Sequence, residues 1–365
     1  MADVGSAPNV VSYNSSIHAC AKGKQWELAI ELLREMVEVG IPADVTSFSS
    51  AIAACGNCRQ HEQAIRLLRE MTRLGISPNV VSYNAAILAC RNNKQCELAV
   101  DLLREMQSVG VTPNIVSFRV VMTACAQGRE WMHAVTLLRE VSTVGLNPDL
   151  LCYKAAMDAC VNCRQFSQAL TLFREMLMAK FTLDAESYTS AIDACRGSGL
   201  WEQALVFLRE MWATGIDPSI NTYNSAIMAC GRKAEWELAV SLLRETSVVG
   251  ISPNATTYSA CITACENGGE CEKAVQLLRE MHDMGFKPRL FTYHSAIHAC
   301  GKQGEWERAV DLLRDMVIAG TAPKVSTYNT VIKACGDAGR WREAVALVKE
   351  VTSVGLEPNI GTYNA

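Results

Sequence analysis

One column of side chains in this chain varies in chemistry while its neighbours hardly change. Each member directly follows a tyrosine or phenylalanine, and the column mixes amide, hydroxyl, guanidinium, ammonium and imidazole groups. The members are Asn14, Ser49, Asn84, Arg119, Lys154, Thr189, Asn224, Ser259, His294 and Asn329. Such groups donate and accept hydrogen bonds. Because packing does not dictate the residue type, the column favours selective recognition of a partner, with solvent-exposed drift as the alternative.

The cysteines and histidines do not form a metal or redox constellation in the sequence. Ten of the sixteen cysteines form a second column, namely Cys20, Cys55, Cys90, Cys125, Cys160, Cys195, Cys230, Cys265, Cys300 and Cys335. Members of this column lie too far apart to bond to each other, so we expect buried, reduced cysteine and a reducing compartment. The pairs Cys55/Cys58 and Cys160/Cys163 are three repeats apart, whereas a zinc site needs four ligands. We therefore expect no metal and no cofactor.

The positions of the aromatic residues reveal an internal repeat. A tyrosine or phenylalanine recurs every 35 residues, from Tyr13 and Phe48 through to Tyr363. A fixed period of this size is typical of an array of identical structural units. We place an N-terminal extension at residues 1–9 and ten full units at 10–44, 45–79, 80–114, 115–149, 150–184, 185–219, 220–254, 255–289, 290–324 and 325–359. An eleventh unit begins at residue 360 and breaks off at 365, which indicates a fragment of a longer protein.

Each unit reads as two helices. In residues 80–114, two apolar stripes follow the helical spacing i, i+3, i+4, i+7: Tyr83, Ala86, Ile87 and Cys90, then Ala99, Leu102, Leu103 and Met106. Gly110 and Pro113 then end the second helix. Two such helices cannot bury their stripes alone, so the units must stack. The predicted fold is all-α, an α-solenoid superhelix of about ten helix-turn-helix repeats.

Two local features refine this picture. On the first helix, Val11, Asn14, His18 and Ala21 share a face distinct from the apolar stripe, and stacking should align such faces in a concave groove. Where other units have glycine and proline, the fifth has Lys180 and Leu183, so we expect a different turn geometry there.

Composition and charge limit the classes of partner. The formal net charge is −4, which argues against an indiscriminate basic binder of nucleic acid. No apolar run approaches the ~18–20 residues needed to cross a bilayer, so we expect no membrane partner. The repeat is already in register by Pro8, and residues 1–7 are too short for a targeting peptide.

The units resemble the pentatricopeptide repeat family, in its plain P-type arrays. Val81-Ser82-Tyr83-Asn84 begins the first helix, Leu102-Leu103-Arg104-Glu105-Met106 ends the second, and G-I-S-P-N at 75–79 matches the closing loop. The resemblance covers essentially the whole chain. It implies an array that binds single-stranded RNA, one base per repeat, in mitochondria or chloroplasts, with RNA-processing proteins as further partners and no small-molecule substrate.

The resemblance also implies which residues read each base. In the family these are the residue after the aromatic and the last residue of the repeat, with packing support from the position three before the first of these. Carried over to this chain, Asn14 with Asp44 resembles a uracil reader, and Ser49 with Asn79 resembles an adenine reader. Three pairs resemble pyrimidine readers with cytosine favoured: Asn84 with Asn114, Asn224 with Asn254, and Asn329 with Asn359. Thr189 with Ser219 fits a purine loosely. Val11, Val81 and Val116 would pack on bases, and Phe291 would stack on one.

Repeats four, five, eight and nine depart from this pattern and specify no base. Their pairs are Arg119 with Asp149, Lys154 with Asp184, Ser259 with Arg289, and His294 with Lys324. Asp158, Glu186 and Asp193 should project carboxylates into the same groove and repel phosphate. The predicted target is 5′-U-A-Y, two unspecified bases, a weak purine, Y, two unspecified bases, then Y.

Several structural explanations compete with these functional ones. Asn, Asp or Ser before a helix is a preferred N-cap worth about 1 kcal/mol, which alone could account for the last-residue column. The column that contains Trp26, Trp131 and Trp236 favours packing between repeats over base stacking. The Arg-Glu pairs that end the second helices, such as Arg34-Glu35, indicate a solvated face or ion pairs between repeats.

No catalytic appendage is recognisable in the sequence. The H-x-E with paired C-x-x-C of deaminase-bearing family members and the acidic metallonuclease domain of the RNase P-like members are not found, so we expect no enzymatic activity. The competing function is a protein-protein interaction scaffold of the tetratricopeptide type, which the acidic balance and the off-pattern repeats favour.

Overall fold

The computed structural model describes residues 8–364, with side chains as far as Tyr363. These residues form helices throughout and contain no strand. The first helix of each repeat, helix A, is α1 (Val10–Lys22), α3 (Val45–Asn57), α5 (Val80–Asn92), α7 (Ile115–Gly128), α9 (Leu150–Asn162), α11 (Ala185–Ser198), α13 (Ile220–Gly231), α15 (Ala255–Gly268), α17 (Leu290–Lys302), α19 (Val325–Asp337) and the short α21 (Ile360–Asn364).

The second helix of each repeat, helix B, follows after a short turn. These helices are α2 (Trp26–Glu38), α4 (His61–Arg73), α6 (Cys96–Ser108), α8 (Trp131–Thr143), α10 (Phe166–Met178), α12 (Trp201–Ala213), α14 (Trp236–Val248), α16 (Cys271–Asp283), α18 (Trp306–Ile318) and α20 (Trp341–Ser353). The chain divides into two compact units, residues 1–183 and 184–365. Within each unit, every helix A packs against its own helix B and against the next helix A. The prediction of an all-α solenoid is confirmed.

Helix A begins where the sequence predicts an N-cap. Most of the residues before an A helix have extended backbone and accept a hydrogen bond from the third residue of that helix, as Asp44 does from the Ser47 amide at 2.8 Å. Arg289 and Lys324 occupy the same place before α17 and α19 without capping through their side chains. Asn9, the last residue of the predicted N-terminal extension, caps α1, and residues 1–7 lie outside the described part of the chain.

Helix B ends in a left-handed residue that lets the chain turn back. At Gly110 φ is +81°, its amide donates to the Gln107 carbonyl at 3.1 Å, and the next amide donates to the Met106 carbonyl. Lys180 adopts φ +57° and makes the equivalent bond to the Leu177 carbonyl at 3.0 Å. The expectation of a different turn geometry at Lys180 is therefore wrong, because this backbone accepts a non-glycine residue at a cost of about 1–2 kcal/mol.

The aromatic grid forms the core of each repeat. Tyr13 and Tyr223 are buried, and each hydroxyl donates to a helix B carboxylate, Glu35 or Glu245, at 2.8 Å. Burial followed by the Glu245 contact raises the pKa of Tyr223 to about 12, so its hydroxyl stays a donor. The grid residues thus fix helix A to helix B of the same repeat.

Arginine and glutamate at the ends of the B helices connect neighbouring repeats. Arg139 donates two hydrogen bonds to Glu175, at 2.6 and 2.7 Å, and Arg104 pairs with Glu140 in the same way. Of the two explanations for the Arg-Glu pattern, ion pairs between repeats are the one that the structure shows at these positions. Each is exposed enough to contribute little alone.

Apart from the half-buried Cys20, the cysteine column is buried, but it is not uniformly reduced. Burial raises the pKa of Cys55 and Cys90 to about 12, which keeps these thiols neutral. Cys300, however, forms a disulfide with Cys271, whose Cα lies 4.4 Å from its own. The expectation of reduced cysteine is wrong at this position, because its partner is not another column member but the first residue of the preceding helix B.

Another inter-repeat contact involves the tryptophan column. A Cβ built on Gly268 would lie 2.6 Å from Cδ1 of Trp236, so this ring fills the space beside the next repeat's glycine. The packing interpretation of the column holds at Trp236. Ala21, predicted to share the exposed face of α1, is instead 4% exposed and belongs to the core.

Candidate nucleic-acid interface

The second residue of helix A lies on an exposed face in every repeat described. The exposed fractions are 71% for Val11, 61% for Val81, 36% for Val116 and 60% for Phe291. Helix A directs this residue away from the stripe that packs on helix B, since the two lie on different faces of a 3.6-residue period. The four side chains predicted to pack or stack on bases are therefore accessible.

The residue after the aromatic is less exposed than the second residue of helix A, because it lies between adjacent A helices. Asn14, Asn84, Thr189 and Asn329 are half-buried. Ser49 is 7% exposed and Asn224 is 5% exposed, so these two do not line an open face as expected. Both lie beside the next helix A of the same unit, which covers them.

In the first repeat, the two predicted reading residues meet a third side chain from the next repeat. Asn14 Nδ2 donates to Asp44 Oδ1 at 3.2 Å, and Asn14 Oδ1 accepts from Ser47 Oγ at 2.6 Å. Ser47 Oγ also lies 2.9 Å from Asp44 Oδ1, so its single proton is shared between the two acceptors. We call this arrangement the polar triad: the residue after the aromatic, the last residue of the repeat, and the third residue of the next helix A.

The triad recurs in both units of the chain. In the second unit, Asn329 Nδ2 donates to Asn359 Oδ1 at 3.1 Å, and Asn329 Oδ1 accepts from Thr362 Oγ1 at 2.8 Å. In the first unit, Ser49 Oγ lies 3.0 Å from Ser82 Oγ. Stacking of the A helices thus brings together residues that are 30 and 33 positions apart in sequence.

Further triads follow the same plan with other residue types. Thr189 and Thr222 place their hydroxyl oxygens 2.9 Å apart, as do Ser259 and Thr292. In the fourth repeat, Arg119 Nη1 lies 3.4 Å from Asp149 Oδ2, so this pair forms an ion pair rather than a neutral hydrogen-bonding site. The fourth repeat, already an exception in sequence, is therefore electrostatically different as well.

Two triads leave an acceptor unsatisfied. The buried Oδ1 atoms of Asn84 and Asn224 have no hydrogen-bond partner among the described residues. In these repeats the next hydroxyl bonds to the last residue instead, as Ser117 Oγ does to Asn114 Oδ1 at 3.1 Å. A buried polar atom without a partner costs about 1–3 kcal/mol, so a bound donor would be favoured at both places.

Apart from Arg289 and Lys324, the last-residue column performs the capping that the competing explanation predicts. Asn79 Oδ1 accepts from the amides of Val81 and Ser82 at 2.9 and 3.1 Å. Only Oδ1 is used in these contacts, and Asn79 is exposed, so its Nδ2 is left without a partner among the described residues. Capping and recognition are therefore compatible in one side chain.

Electrostatics keep the first triad anionic. Burial alone would raise the pKa of the Asp44 carboxyl, but hydrogen bonds from Ser47 and then Asn14 outweigh it and lower that pKa. Among the carboxylates expected to repel phosphate, Asp193 Oδ1 accepts from Ser225 Oγ at 2.5 Å and lies 3.3 Å from Arg196 Nη2. Its negative charge is thus partly compensated, which weakens that expected repulsion.

Sequence reasoning missed the third member of the triad. The signal was present, because the third residue of helix A is serine or threonine in every repeat except at Cys152. In the structure Ser47, Ser82 and Ser117 are completely buried. A small hydroxyl kept in all repeats but one, at a buried place beside a variable polar column, indicates a hydrogen-bonding partner for that column.

Residues 8–364 bring together no group of three or more side chains suited to hold a metal ion. Within the same residues, no helix is both long and apolar enough to pass through a bilayer.

The fold and the triads define a class of protein: a stack of two-helix repeats that presents one set of polar groups per repeat. Pentatricopeptide repeat models match at residues 66–128 and 171–233 (Pentatricopeptide repeat domain), 8–57 and 323–365 (PPR repeat family), 236–340 (Pentacotripeptide-repeat region of PRORP), and 46–76 and 151–181 (PPR repeat). The chain belongs to the pentatricopeptide repeat family.

Solved structures are similar to the chain at low sequence identity. The pentatricopeptide repeat protein PPR10 from maize is 19% identical with a TM-score of 0.44, over 99% of this chain and 66% of that one. The chain thus spans just under two thirds of the maize protein. The PPR domain of Arabidopsis thaliana PRORP1, in complex with tRNA, is 18% identical with a TM-score of 0.43, over 47% of this chain and 91% of that one. Yeast Rmd9p, in complex with a 16nt target RNA, is 11% identical with a TM-score of 0.36, over 92% and 80%. Comparison with curated proteins finds no match.

Proposed function

We propose that this chain binds single-stranded RNA and selects bases through its polar triads, one base per repeat. Repeats of this family are built for that mode of recognition. The observation that carries the proposal is that the two polar side-chain atoms of a last residue such as Asp44 or Asn79 are used differently. One atom, Oδ1, caps the next helix A, and the other polar atom remains for a ligand.

This division gives a physical basis for the predicted bases. An aspartate that caps through one oxygen keeps a second oxygen, an acceptor, which suits the N3–H donor of uracil. An asparagine that caps through its oxygen keeps an amino group, a donor, which suits the N3 acceptor of cytosine or the N1 acceptor of adenine. Asp44 therefore favours uracil, and Asn79 favours adenine over guanine.

The residue after the aromatic would then separate purines from pyrimidines. Asn14 and Asn329 are held by their triads, with the side-chain amide fixed between the last residue and the next hydroxyl. Ser49 is shorter and bonds only to the Ser82 hydroxyl, which leaves more room above it. A larger base fits above serine and a smaller one above asparagine.

Within this proposal, RNA binding serves processing, stabilisation or translation in mitochondria or chloroplasts. These locations and events come from the family resemblance. RNA-processing proteins would be the partners that act on the bound transcript, since the proposal gives the chain itself no catalytic role.

The test exchanges one reading residue. Ser49→Asn should change the preference at the second base of the target from adenine to pyrimidine, by about 5- to 150-fold, since one mismatched base typically costs 1–3 kcal/mol. Asparagine is accommodated at the equivalent place in four other repeats, so folding should persist. The measurement is fluorescence anisotropy with RNAs that differ only at that base.

The matched control is Ser108→Asn, the same exchange on the exposed side of α6. It should leave base preference unchanged. An unaltered preference in a folded Ser49→Asn protein would refute base selection by this residue. No binding of any RNA, together with retention of proteins from a lysate, would favour the interaction-scaffold function instead.

A further inference from the structure

The turn between helix A and helix B contains a left-handed residue in all ten repeats. In repeats six to ten this residue is Gly199, Ala234, Gly269, Gly304 or Gly339. In repeats one to five it is always basic: Lys24, Arg59, Lys94, Arg129 and Arg164, with φ between +56° and +63°. We call these five residues the basic row. Since any side chain is unfavourable in this conformation, the backbone does not explain the choice of lysine and arginine.

The basic row is available to a partner. All five residues are exposed. Their ammonium and guanidinium groups make no ion pair or hydrogen bond within residues 8–364. Attraction of a cation to the C-terminal end of helix A does not explain the choice either, because it would act equally in repeats six to ten.

Contacts between successive turns hold the row in register. Cys58 Sγ donates to the Lys24 carbonyl at 3.1 Å, and Asn92 Nδ2 donates to the Gly56 carbonyl at 2.9 Å. The same bond recurs from Asn162 to the Ala126 carbonyl at 3.1 Å. Because packed helices lie about 8–10 Å apart, the five cations extend over about 35 Å at one per repeat.

The charge balance of the chain singles out the same half. Residues 1–183 contain 17 basic and 16 acidic residues, whereas residues 184–365 contain 17 basic and 22 acidic residues. The residue after the row is glutamine in four of the first five repeats, and glutamate in three of the last five. Carboxylates three residues further on, at Glu27, Glu62 and Glu97, do not pair with the row.

We propose that the basic row binds the phosphate backbone of the RNA along repeats one to five, independently of base identity. The row lies ten residues beyond the base-reading position, about 15 Å along helix A, too far to contact a base edge there. One cation per repeat matches one phosphate per nucleotide when each repeat reads one base. This register favours RNA over an acidic protein, and the inference rests on the proposed function for its ligand.

The test replaces all five row residues with glycine in the full chain. Four of the other repeats have glycine at this place with the same sign of φ, so the substitution relieves the backbone rather than unfolding it. The charge-matched control changes Arg34, Arg66, Arg69, Arg73 and Arg174, all exposed on B helices, to glutamine. A second variant exchanges lysine and arginine within the row and keeps every charge.

Affinity is measured from 50 to 200 mM KCl with the predicted target and with oligoadenylate of the same length. Each phosphate contact contributes about −0.7 to the slope of log affinity against log salt, so the wild type should lose about 100-fold more affinity than the glycine variant. The control and the charge-conserving variant should keep the wild-type slope. The ratio of target to oligoadenylate affinity should be the same in all four proteins.

These readouts separate the inference from the proposed function. A wild type without preference for the target contradicts base reading, while its slope on oligoadenylate still tests the row. A glycine variant whose slope differs from wild type by less than one contact, about 0.7, overturns the inference. An equal change of slope in the arginine-to-glutamine control would also overturn the inference. Binding of polyglutamate in place of RNA by the wild type would do the same.

Discussion

The exchange Asp44→Asn tests whether Oδ1 of this residue caps the next helix while Oδ2 contacts the base. Asp44 Oδ1 accepts from the Ser47 amide at 2.8 Å and from Asn14 Nδ2 at 3.2 Å. Asparagine retains this oxygen and caps a helix about as well as aspartate. The change therefore preserves the fold and replaces only Oδ2, an acceptor, with an amino group, a donor.

The size of the effect follows from hydrogen bonding at the first base. With uracil, the new amino group would face the N3–H donor, so one bond is lost and two donors oppose each other. Leaving such a group unsatisfied costs about 1–3 kcal/mol, or about 5- to 150-fold in affinity. With cytosine the new donor meets an acceptor, so preference at this base should change from uracil to cytosine.

The assay compares two RNAs that differ only in uracil or cytosine at the first position, by fluorescence anisotropy. Asp101→Asn, an exposed exchange of the same kind on α6, should leave the ratio of affinities unaltered. Asp44→Ala removes the cap and should lower stability by about 0.5–2 kcal/mol. If Asp44→Asn is folded and still prefers uracil, the assignment of Oδ2 to the base is incorrect.

Two further predictions concern stability. Burial would raise the pKa of Asp44, but hydrogen bonds outweigh it and lower that pKa, and the hydrogen bond from Arg104 lowers the pKa of Glu140. The stabilisation from both carboxylates is therefore complete above the ordinary carboxyl range and is lost as pH falls through the lowered pKa values. Urea titrations from pH 6 to pH 3 should show a steeper loss of stability for wild type than for Glu140→Gln. Gly268→Ala should lower the free energy of unfolding by about 1–3 kcal/mol, because its Cβ would lie 2.6 Å from Trp236. Gly301→Ala, whose Cβ would have its nearest neighbour at 3.5 Å, should not. Equal urea midpoints for the two variants would contradict this packing.

Most of the fold could be predicted from sequence because its determinants are local. The spacing i, i+3, i+4 placed both helices of each repeat, and Asn79 and Gly110 marked a start and an end. At Lys180 this reasoning failed. Lysine there indicated an altered turn, but the hydrogen bonds of the helix end hold it at φ +57°, as they hold glycine elsewhere.

The candidate site was predictable only in part, because it depends on distances between repeats. The sequence singled out Asn14 and Asp44 through the resemblance, but not Ser47, which belongs to the next repeat and joins them. It also left open whether the last-residue column caps or reads. The structure shows the cap and the one atom that it uses.

The sequence by itself determined the period, the two helices of each unit and the column of polar residues on helix A, since the period is read directly from the recurring residues and each helix depends on neighbours within a few turns. The tertiary structure decided which side chains meet across repeats. It buried Ser49 and Asn224 and joined Cys271 to Cys300, because the rotation of one helix pair against the next is set by packing over the whole interface, and no short stretch of sequence encodes it.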